Sequence, residues 1–371
     1  MAAIVDAIVK ADAVTEDKKD ANIKPDAVTE DKKDVKEDNE FIEPLLDPRN
    51  YREMWIPFDP RYAHIIEHFY KRHEGSNWSY TDIVYSQDLS DWSKMKPSLR
   101  HLIKMVLAFF FLSDVLVNKK EKKDTECIQI PELKIFIDNK IDRENVHTLT
   151  YMSHIYTLIT DIRERETLFS GIKDIPVIQA KANWLTRYTQ DGTFVERMVA
   201  TIITEGVFFL SSFTSIYYLK SRNLMPALCH SNEFIARDEG LHRDCAIYVY
   251  MNYIVKKLPL EKFMEMFLSG VELEVRFVRE ALPMEEASRD MVGIDSKSMC
   301  DYVRMCADDI LNKIHGKKYF CIIDMPLAWM KIITTDVKTN FFDKHTSHYA
   351  KSSMGEGVTE SDNSMIETLD F

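Results

Sequence analysis

Hydrophobic residues recur along most of the chain with helical spacing, and prolines divide the pattern into long uninterrupted runs. Because proline suits the first turn of a helix and disrupts its interior, such prolines mark helix starts. Alternating hydrophobic and polar segments with hairpin signals are too short to build a sheet. The pattern predicts an all-α protein, with its principal helices at residues 97–118, 131–160, 193–219 and 226–256.

The two ends of the chain differ from its body in composition. Residues 1–40 contain no aromatic residue, carry 12 acidic against 7 basic side chains, and repeat DAVTEDKKD after 14 residues. Residues 350–371 are similarly polar, with 5 acidic side chains and 1 basic one. Such segments cannot bury enough apolar surface to offset the entropy lost on ordering. We therefore predict a disordered acidic leader over 1–40, one helical domain over 41–349, and a flexible acidic tail over 350–371.

Composition narrows the class of protein. With 45% hydrophobic residues and only 10 glycines, the chain is too apolar for a disordered protein and too poor in helix breakers for a turn-rich β fold. Its net charge of −12 disfavours a nucleic-acid-binding surface. Six cysteines without a Cys-x-x-Cys pair are typical of a reducing compartment, and the start does not resemble a signal peptide. We expect a cytoplasmic protein that binds neither nucleic acid nor a membrane.

Two predicted helices carry a glutamate and a histidine three residues apart, Glu144 with His147 and Glu239 with His242. At this spacing both side chains project from one face of a helix and can reach the same ion. A single pair of this kind is frequent by chance on protein surfaces. Two pairs on separate helices are more informative, because neighbouring helices of a bundle can bring them together.

Two further acids lie where a carboxylate is costly. Asp114 and Glu205 are each flanked on both sides by large apolar side chains. An unpaired buried carboxylate is strongly destabilising or stays protonated, so a compensating group is required. For either acid alone, a partner arginine or lysine is an alternative to a metal ion. Glu205 also lies near the middle of Met198–Leu219, a stretch long enough to cross a bilayer, and this favours a buried core helix instead.

Together, four helices supply one acid, one Glu-x-x-His, one acid and one Glu-x-x-His, which is the ligand arrangement of ferritin-like di-iron and di-manganese proteins. Four carboxylates and two imidazoles suit two cations such as iron or manganese. The predicted fold is therefore a ferritin-like helical bundle with a di-metal carboxylate site in its core. The candidate ligands are Asp114, Glu144, His147, Glu205, Glu239 and His242.

Tyr151 follows His147 by four residues, which places it on the same helix face, one turn from the predicted metal site. Two redox metals that activate oxygen can remove an electron and a proton from a nearby phenol, so Tyr151 is a candidate radical site. A core tyrosine is the alternative. Phe209, Phe213 and Ile235 lie one or two turns from predicted ligands and could separate this phenol from water. Ordinary core packing explains these three positions equally well.

Longer segments around these positions carry a family resemblance: LAFFFLSD (107–114), ENVHTLTY (144–151), EGVFFLSSF (205–213), SNEFIARDEGLH (231–242) and KTNFF (338–342). From Glu43 to the C-terminus the chain resembles the small, radical-bearing subunit of class I ribonucleotide reductase, in its eukaryotic and large-DNA-virus branch. The resemblance implies an oxidoreductase whose di-iron site reacts with oxygen to make a tyrosyl radical. The implied cofactor is two iron ions, oxo-bridged when oxidised, with manganese as an alternative.

The resemblance also implies individual roles for residues of this chain. One iron ion would be held by Asp114, Glu144 and His147, and the other by Glu205, Glu239 and His242. Tyr151 would carry the stable radical, and Tyr349 would pass the oxidising equivalent to the partner. Trp78 would be the near-surface tryptophan of the family, linked by Asp238 to the ligand His147.

Two partners follow from the same resemblance: a second copy in a homodimer, and the large catalytic subunit. In that subunit a thiyl radical would form, and ribonucleoside diphosphates would be reduced to deoxyribonucleotides. The last residues, NSMIETLDF, combine acids with apolar side chains, so they can order in a partner groove, with plain disorder as the alternative. Leu369 and Phe371 are the candidate contacts. Met365 stands where the family pattern has an aromatic residue, and the duplicated leader has no counterpart in that pattern.

Two other functions fit parts of this pattern. Another di-iron oxidase, such as a desaturase or a ligand-binding oxidase, would need a channel for an apolar substrate and would not use Trp78, Tyr349 or the acidic tail. A non-enzymatic protein is the second alternative. An iron-storage protein would lack the tail, and a metal-free regulatory paralogue would have lost a ligand or Tyr151, whereas none of these residues is missing here.

Overall fold

The computed structural model describes residues 41–53, 58–171, 175–282 and 294–330. The predicted leader at 1–40 and the predicted tail at 350–371 lie outside these ranges, so the division into three regions stays a prediction. Tyr349, Leu369 and Phe371 also lie outside the described residues.

Every regular element in the described part of the chain is helical, which confirms the predicted fold class. In chain order the helices are α1 (Lys71–Gly75), α2 (Leu89–Lys94), α3 (Pro97–Cys127), α4 (Pro131–Leu158), α5 (Ile162–Gly171), α6 (Pro176–Gln190), α7 (Phe194–Ile203), α8 (Leu210–Ser221), α9 (Pro226–Asn252), α10 (Leu260–Ala281) and α11 (Ser296–His315). One π-helical turn, Ile65–Tyr70, precedes α1, and another, Thr204–Phe208, joins α7 to α8.

The helix starts follow from local sequence. Helices α3, α4, α6 and α9 each begin with a proline, whose fixed φ and missing N–H suit the first helical position. Helix α7 begins instead with a capping box, in which Thr193 Oγ1 accepts from the Glu196 backbone N–H at 3.3 Å and Glu196 Oε2 accepts from the Thr193 N–H at 2.8 Å. These signals placed the principal helix starts within one residue of the observed ones.

Four helical segments form a closed bundle. Helix α3 packs along α4, α4 contacts α9, α9 packs against both α7 and α8, and these two contact α3. Helix α10 packs over α6, α7 and α11 on the outside of this core. Phe194–Ser221 and Pro97–Cys127 are long and apolar enough to cross a membrane, yet 94% of the most apolar window of the first is buried inside the protein. That burial confirms the expectation of a core helix around Glu205.

Helix α3 is longer than predicted, since it continues to Cys127 rather than ending near Asn118. The added turns are rich in charged residues. Three of those residues are buried instead: Lys120, Glu121 and Asp124. Glu121 pairs with Lys140 on α4, Asp124 pairs with Arg197 on α7, and Lys120 lies between these two acids. This pairing allows the polar sequence to remain in the core.

The predicted continuous helix over residues 193–219 is interrupted by the π-helical turn Thr204–Phe208. Such a turn frees backbone groups from the regular hydrogen-bond ladder, so they need other partners. Lys181 Nζ donates to the Phe208 carbonyl at 2.9 Å, and Glu274 Oε1 accepts from the Ser211 N–H at 3.1 Å. Lys181 and Glu274 pair with each other at 2.6 Å, and together they hold the C-terminal end of the turn that carries Glu205.

Candidate metal centre

The six candidate ligands lie together in the centre of the bundle. Their donor atoms form two overlapping groups, and within each group the atoms lie within 4.8 Å of one another. One group contains Asp114, Glu144 and His147, and the other contains Glu144, Glu205, Glu239 and His242. All six side chains are buried. Glu144 belongs to both groups, so a carboxylate reaches from one half of the centre to the other.

The two Glu-x-x-His pairs cross over between α4 and α9. His147 Nδ1 lies 3.4 Å from Glu144 Oε2 on its own helix and 3.1 Å from Glu239 Oε1 on the facing helix. His242 Nδ1 lies 3.1 Å from Glu239 Oε2 on its own helix and 3.3 Å from Glu144 Oε1 on the facing one. Both imidazoles therefore turn Nδ1 into the cluster, and the i, i+3 spacing places each pair on the inner face of its helix.

Several of these inward-facing atoms make no hydrogen bond. They are Asp114 Oδ2, both carboxylate oxygens of Glu144, Glu205 Oε2 and His147 Nδ1. Buried polar atoms in folded proteins are nearly always paired, so a concentration of unpaired oxygens in one core position requires an explanation. A pair of cations bound at these atoms would satisfy all of them. The donor set therefore fits a di-metal centre.

The pKa values of the cluster residues also favour bound cations. Burial, reinforced by the neighbouring Glu144 carboxylate, raises the pKa of Asp114 well above its usual range. Burial raises the pKa of Glu205 to about 7. For His242, burial is outweighed by the Glu144 and Glu239 carboxylates, which raise its pKa to about 9. Asp114, Glu205 and His242 thus bind protons unusually strongly, whereas the His147 and His242 imidazoles outweigh burial and lower the pKa of Glu144. Bound cations would take the place of the extra protons.

Among the described residues, Glu205 is the cluster acid that pairs with a lysine, because Lys140 Nζ forms an ion pair with Glu205 Oε1. A basic partner was the alternative to a metal ion for this acid, and here one oxygen of the carboxylate pairs with the lysine while the other remains unpaired. Lys140 itself was not identified from the sequence. Its position one turn before Glu144 on the same helix is the signal that could have found it.

The outward-facing nitrogens of the two imidazoles have different partners. His147 Nε2 lies 3.3 Å from Asp238 Oδ2, and the same oxygen accepts a 2.7 Å hydrogen bond from Trp78 Nε1. The indole and the imidazole of His147 are nearly parallel, with centroids 6.0 Å apart. His242 Nε2 instead lies 3.0 Å from Nε2 of His73. Nothing in the sequence around His73 distinguishes it from a surface histidine, so sequence analysis missed it.

Tyr151 is 2% exposed, one helical turn beyond His147. Its ring stacks on Phe110 with centroids 4.6 Å apart, and Phe110 in turn packs on Phe209 and Phe213 at 5.6 and 4.9 Å. Phe110 was not among the predicted pocket residues, although it lies one turn before Asp114 on α3. The third predicted pocket residue is Ile235, which is buried on α9 one turn before Glu239.

The protein matches a family model described as ribonucleotide reductase, small chain, over residues 55–324. It is 37% identical to the ribonucleoside-diphosphate reductase small subunit of Dictyostelium discoideum, in an alignment that covers 97% of the relative and 90% of this chain. It is 36% identical to the human ribonucleoside-diphosphate reductase subunit M2, in an alignment that covers 82% of the relative and 89% of this chain.

Solved structures agree in fold. The Rnr4 homodimer of Saccharomyces cerevisiae superposes with a TM-score of 0.66 at 24% identity, covering 93% of the yeast protein and 79% of this chain. The dimanganese(II)-NrdF of Streptococcus sanguinis gives a TM-score of 0.64 at 20% identity, covering 96% of the bacterial protein and 75% of this chain. The family match, the relatives and the ferritin-like fold agree with the resemblance seen in the sequence. This chain belongs to the ribonucleotide reductase small-chain family, the oxidoreductase subunits of class I ribonucleoside-diphosphate reductase.

Proposed function

We propose that the cluster holds two iron ions and that Tyr151 carries a radical, which this subunit passes to the large subunit for reduction of ribonucleoside diphosphates. Asp114, Glu144 and His147 would hold one ion, and Glu205, Glu239 and His242 the other. The observation that supports this most is the set of unpaired buried oxygens at the centre of the bundle. Manganese in place of iron is compatible with the same oxygen and nitrogen donors.

The bound metals would supply the oxygen-dependent oxidation that takes an electron from the Tyr151 phenol. The residues of the protein control the phenol itself. Burial, together with the nearby Asp114, Glu239 and Glu144 carboxylates, raises the pKa of Tyr151 well above its usual range, so the phenol keeps its proton until it is oxidised. The Phe110 ring covers one face of the phenol and keeps water and reductants from it.

Trp78, Asp238 and His147 form the proposed route for the oxidising equivalent. One oxygen of Asp238 lies against both the indole N–H and the imidazole, so the three groups form a continuous contact from the outer part of the bundle to the cluster. Asp238 would fix the His147 ring and accept the indole hydrogen bond throughout. Tyr349 is the proposed next carrier, at the border of the C-terminal tail.

The desaturase-like, ligand-binding oxidase, storage and regulatory alternatives receive no support from the relatives described above, which are reductase small subunits. As in the yeast structure, described as a homodimer, we propose that two copies of this protein form a dimer. The cytoplasmic location stays a prediction.

The radical assignment is tested by electron paramagnetic resonance after ferrous iron and oxygen are added to the purified apoprotein. We expect a tyrosyl signal in the wild type that is absent from Tyr151→Phe. The matched control is Tyr188→Phe, another buried tyrosine, which packs on Trp184 away from the cluster. A signal that survives Tyr151→Phe would show that another tyrosine carries the radical, and a protein that binds no iron would exclude the six-ligand assignment.

The partner assignment is tested separately with the full-length protein and a variant lacking Asn363–Phe371. We expect the deletion to leave the tyrosyl signal intact and to abolish turnover with the large subunit, and Phe371→Ala to weaken the binding of the two subunits. Deletion of residues 1–40 is the control and should change neither the signal nor turnover. Full turnover without the last nine residues would exclude docking through the tail.

A further inference from the structure

A buried lysine is in direct contact with the candidate metal centre. Lys140 lies on α4 one turn before Glu144, its side chain is 3% exposed, and its Nζ pairs with Glu205 Oε1. The same Nζ lies 2.8 Å from Glu121 Oε1. One oxygen of Glu205 is therefore engaged by a cation of the protein, and Glu205 Oε2 alone remains without a hydrogen-bond partner.

Lys140 is held in place by a ladder of alternating buried charges. Glu121 Oε1 also pairs with Lys120 Nζ at 3.0 Å, and Lys120 pairs with Asp124 Oδ2 at 2.9 Å. Asp124 Oδ1 accepts from Arg197 Nε at 2.5 Å. Each lysine of the ladder lies between two anions, so withdrawing Lys140 from Glu205 would leave a buried carboxylate unpaired. The ladder makes the Lys140–Glu205 contact a fixed feature of the core.

In the described part of the structure, no lysine or arginine forms an ion pair with the acids of the other half, Asp114 and Glu144. Both oxygens of Glu144 and one oxygen of Asp114 have no hydrogen-bond partner, and the ion pairs of Glu144 in the described part of the structure are with the ligand imidazoles. Glu144 contributes to both groups of donor atoms, so the two halves differ through Glu205, which has one open oxygen because Lys140 holds the other. A cation beside Glu205 would also be repelled by the Lys140 charge a few ångströms away.

The outer partners of the two imidazoles also favour cation binding in the half that contains His147. Asp238, a carboxylate, backs His147, while an imidazole, that of His73, backs His242. A carboxylate behind a ligand histidine strengthens it as a donor more than a neutral group does. Two independent features thus make the half of the centre around Glu205 the poorer cation site.

On the basis of the proposed function, we propose that Lys140 is a positioning residue that restricts Glu205 to binding a metal ion through Oε2. The two sites therefore differ in affinity, and a divalent cation fills the Asp114–Glu144–His147 site first. Lys140 sets the order of metal loading and takes no part in the redox chemistry.

The test is a titration of the full-length apoprotein with Mn²⁺, in which free Mn²⁺ is measured by its electron paramagnetic resonance signal without oxygen or turnover. For the wild type we expect two binding steps whose Kd values differ by about tenfold or more, because the Lys140 charge lies close to the weaker site. Lys140→Gln should tighten the weaker step by about tenfold while changing the stronger step less. Lys140→Arg keeps the charge and should retain two unequal steps, and Lys134→Gln, which removes a lysine elsewhere on α4, is the matched control.

Because Lys140→Gln leaves Glu121 with one cation fewer, the double variant Lys140→Gln/Glu121→Gln keeps the remaining ladder balanced and should show the same tightening. Equal Kd values in the wild type would overturn the proposal, as would a weaker step that is unchanged or loosened in both variants. Tighter binding cannot result from structural damage alone. A wild type that binds no Mn²⁺ and no Fe²⁺ would overturn the proposed function and this inference together, whereas two bound ions with unchanged variants would overturn the inference only.

Discussion

The Phe110 ring lies parallel to the Tyr151 ring, with an angle of 4° between the planes and 4.6 Å between the centroids. The two residues come from different helices, and the contact covers the tyrosine on the side toward Phe209 and Phe213. Stacked aromatic rings in a core contribute to stability through buried area and through their geometry. Here the stack also covers the proposed radical.

Phe110→Ala should therefore have two separable effects. Removal of a fully buried ring should lower the free energy of unfolding by about 3–5 kcal/mol. The tyrosyl signal should form and then decay faster than in the wild type, because water and reductants reach the phenol. Denaturant unfolding and the decay of the resonance signal measure the two effects. Phe263→Ala removes a buried ring that stacks on Phe267 and should reproduce only the loss of stability; equal radical lifetimes in the two variants would argue against a shielding role.

Asp238→Ala should weaken the metal centre and the relay together. Loss of an outer carboxylate behind a ligand histidine costs about 10–100-fold in metal affinity or activity. The indole of Trp78 also loses its acceptor, so its fluorescence should change. Metal titration, Trp fluorescence and turnover with the large subunit measure these effects. Asp88→Asn is the control, since Asp88 is buried and caps the N–H groups of Ala227 and Leu228. It should reduce stability without changing the metal Kd.

The ion pair between Lys181 and Glu274 predicts that the effects of substituting these two residues on the free energy of unfolding are not additive. Lys181→Met alone should cost about 3–5 kcal/mol of unfolding free energy, because it leaves Glu274 buried and unpaired. Lys181→Met/Glu274→Leu removes both charges and should be more stable than the single variant. Urea unfolding of the two variants and the wild type measures the difference. If the single variant were as stable as the wild type, the turn would not depend on this ion pair.

His154 predicts a pH dependence of stability. Burial lowers the pKa of this histidine to about 3, whereas in the unfolded protein it titrates near its usual value of about 6.5. Between these values the unfolded protein binds a proton that the folded protein does not, so the free energy of unfolding falls as the pH falls. The contribution is about 1.4 kcal/mol per pH unit between roughly pH 6 and pH 4.

His154→Gln should reduce the pH slope of the unfolding free energy by about that amount. In the wild type His154 Nε2 lies 2.9 Å from Ser231 Oγ, and the glutamine amide would take its place there. The measurement is urea unfolding of the apoprotein at several pH values in that range. His101→Gln changes an exposed histidine on α3 and should leave the slope unchanged. Equal slopes for wild type and His154→Gln would contradict the prediction.

The helices and the two Glu-x-x-His pairs could be predicted from the local sequence. Prolines mark most helix starts, and a spacing of three residues fixes which side chains share a helix face, so both features depend on near neighbours in sequence. The apolar surroundings of Asp114 and Glu205 also showed that these acids need partners. The family resemblance identified Trp78 and Asp238, which are 160 residues apart and show no local sign of their contact in the sequence.

The partners of the buried charges depend on how the helices pack and could not be predicted from local sequence. The lysine beside Glu205, the His73 imidazole beside His242 and the ring stacked on Tyr151 all come from other elements of the bundle. The π-helical turn at Glu205 likewise depends on Lys181 and Glu274 on other helices. Local sequence sets the direction in which each side chain leaves its own helix, but the packing of helices against one another sets the atoms that it meets. Those atoms determine the charge balance of the centre.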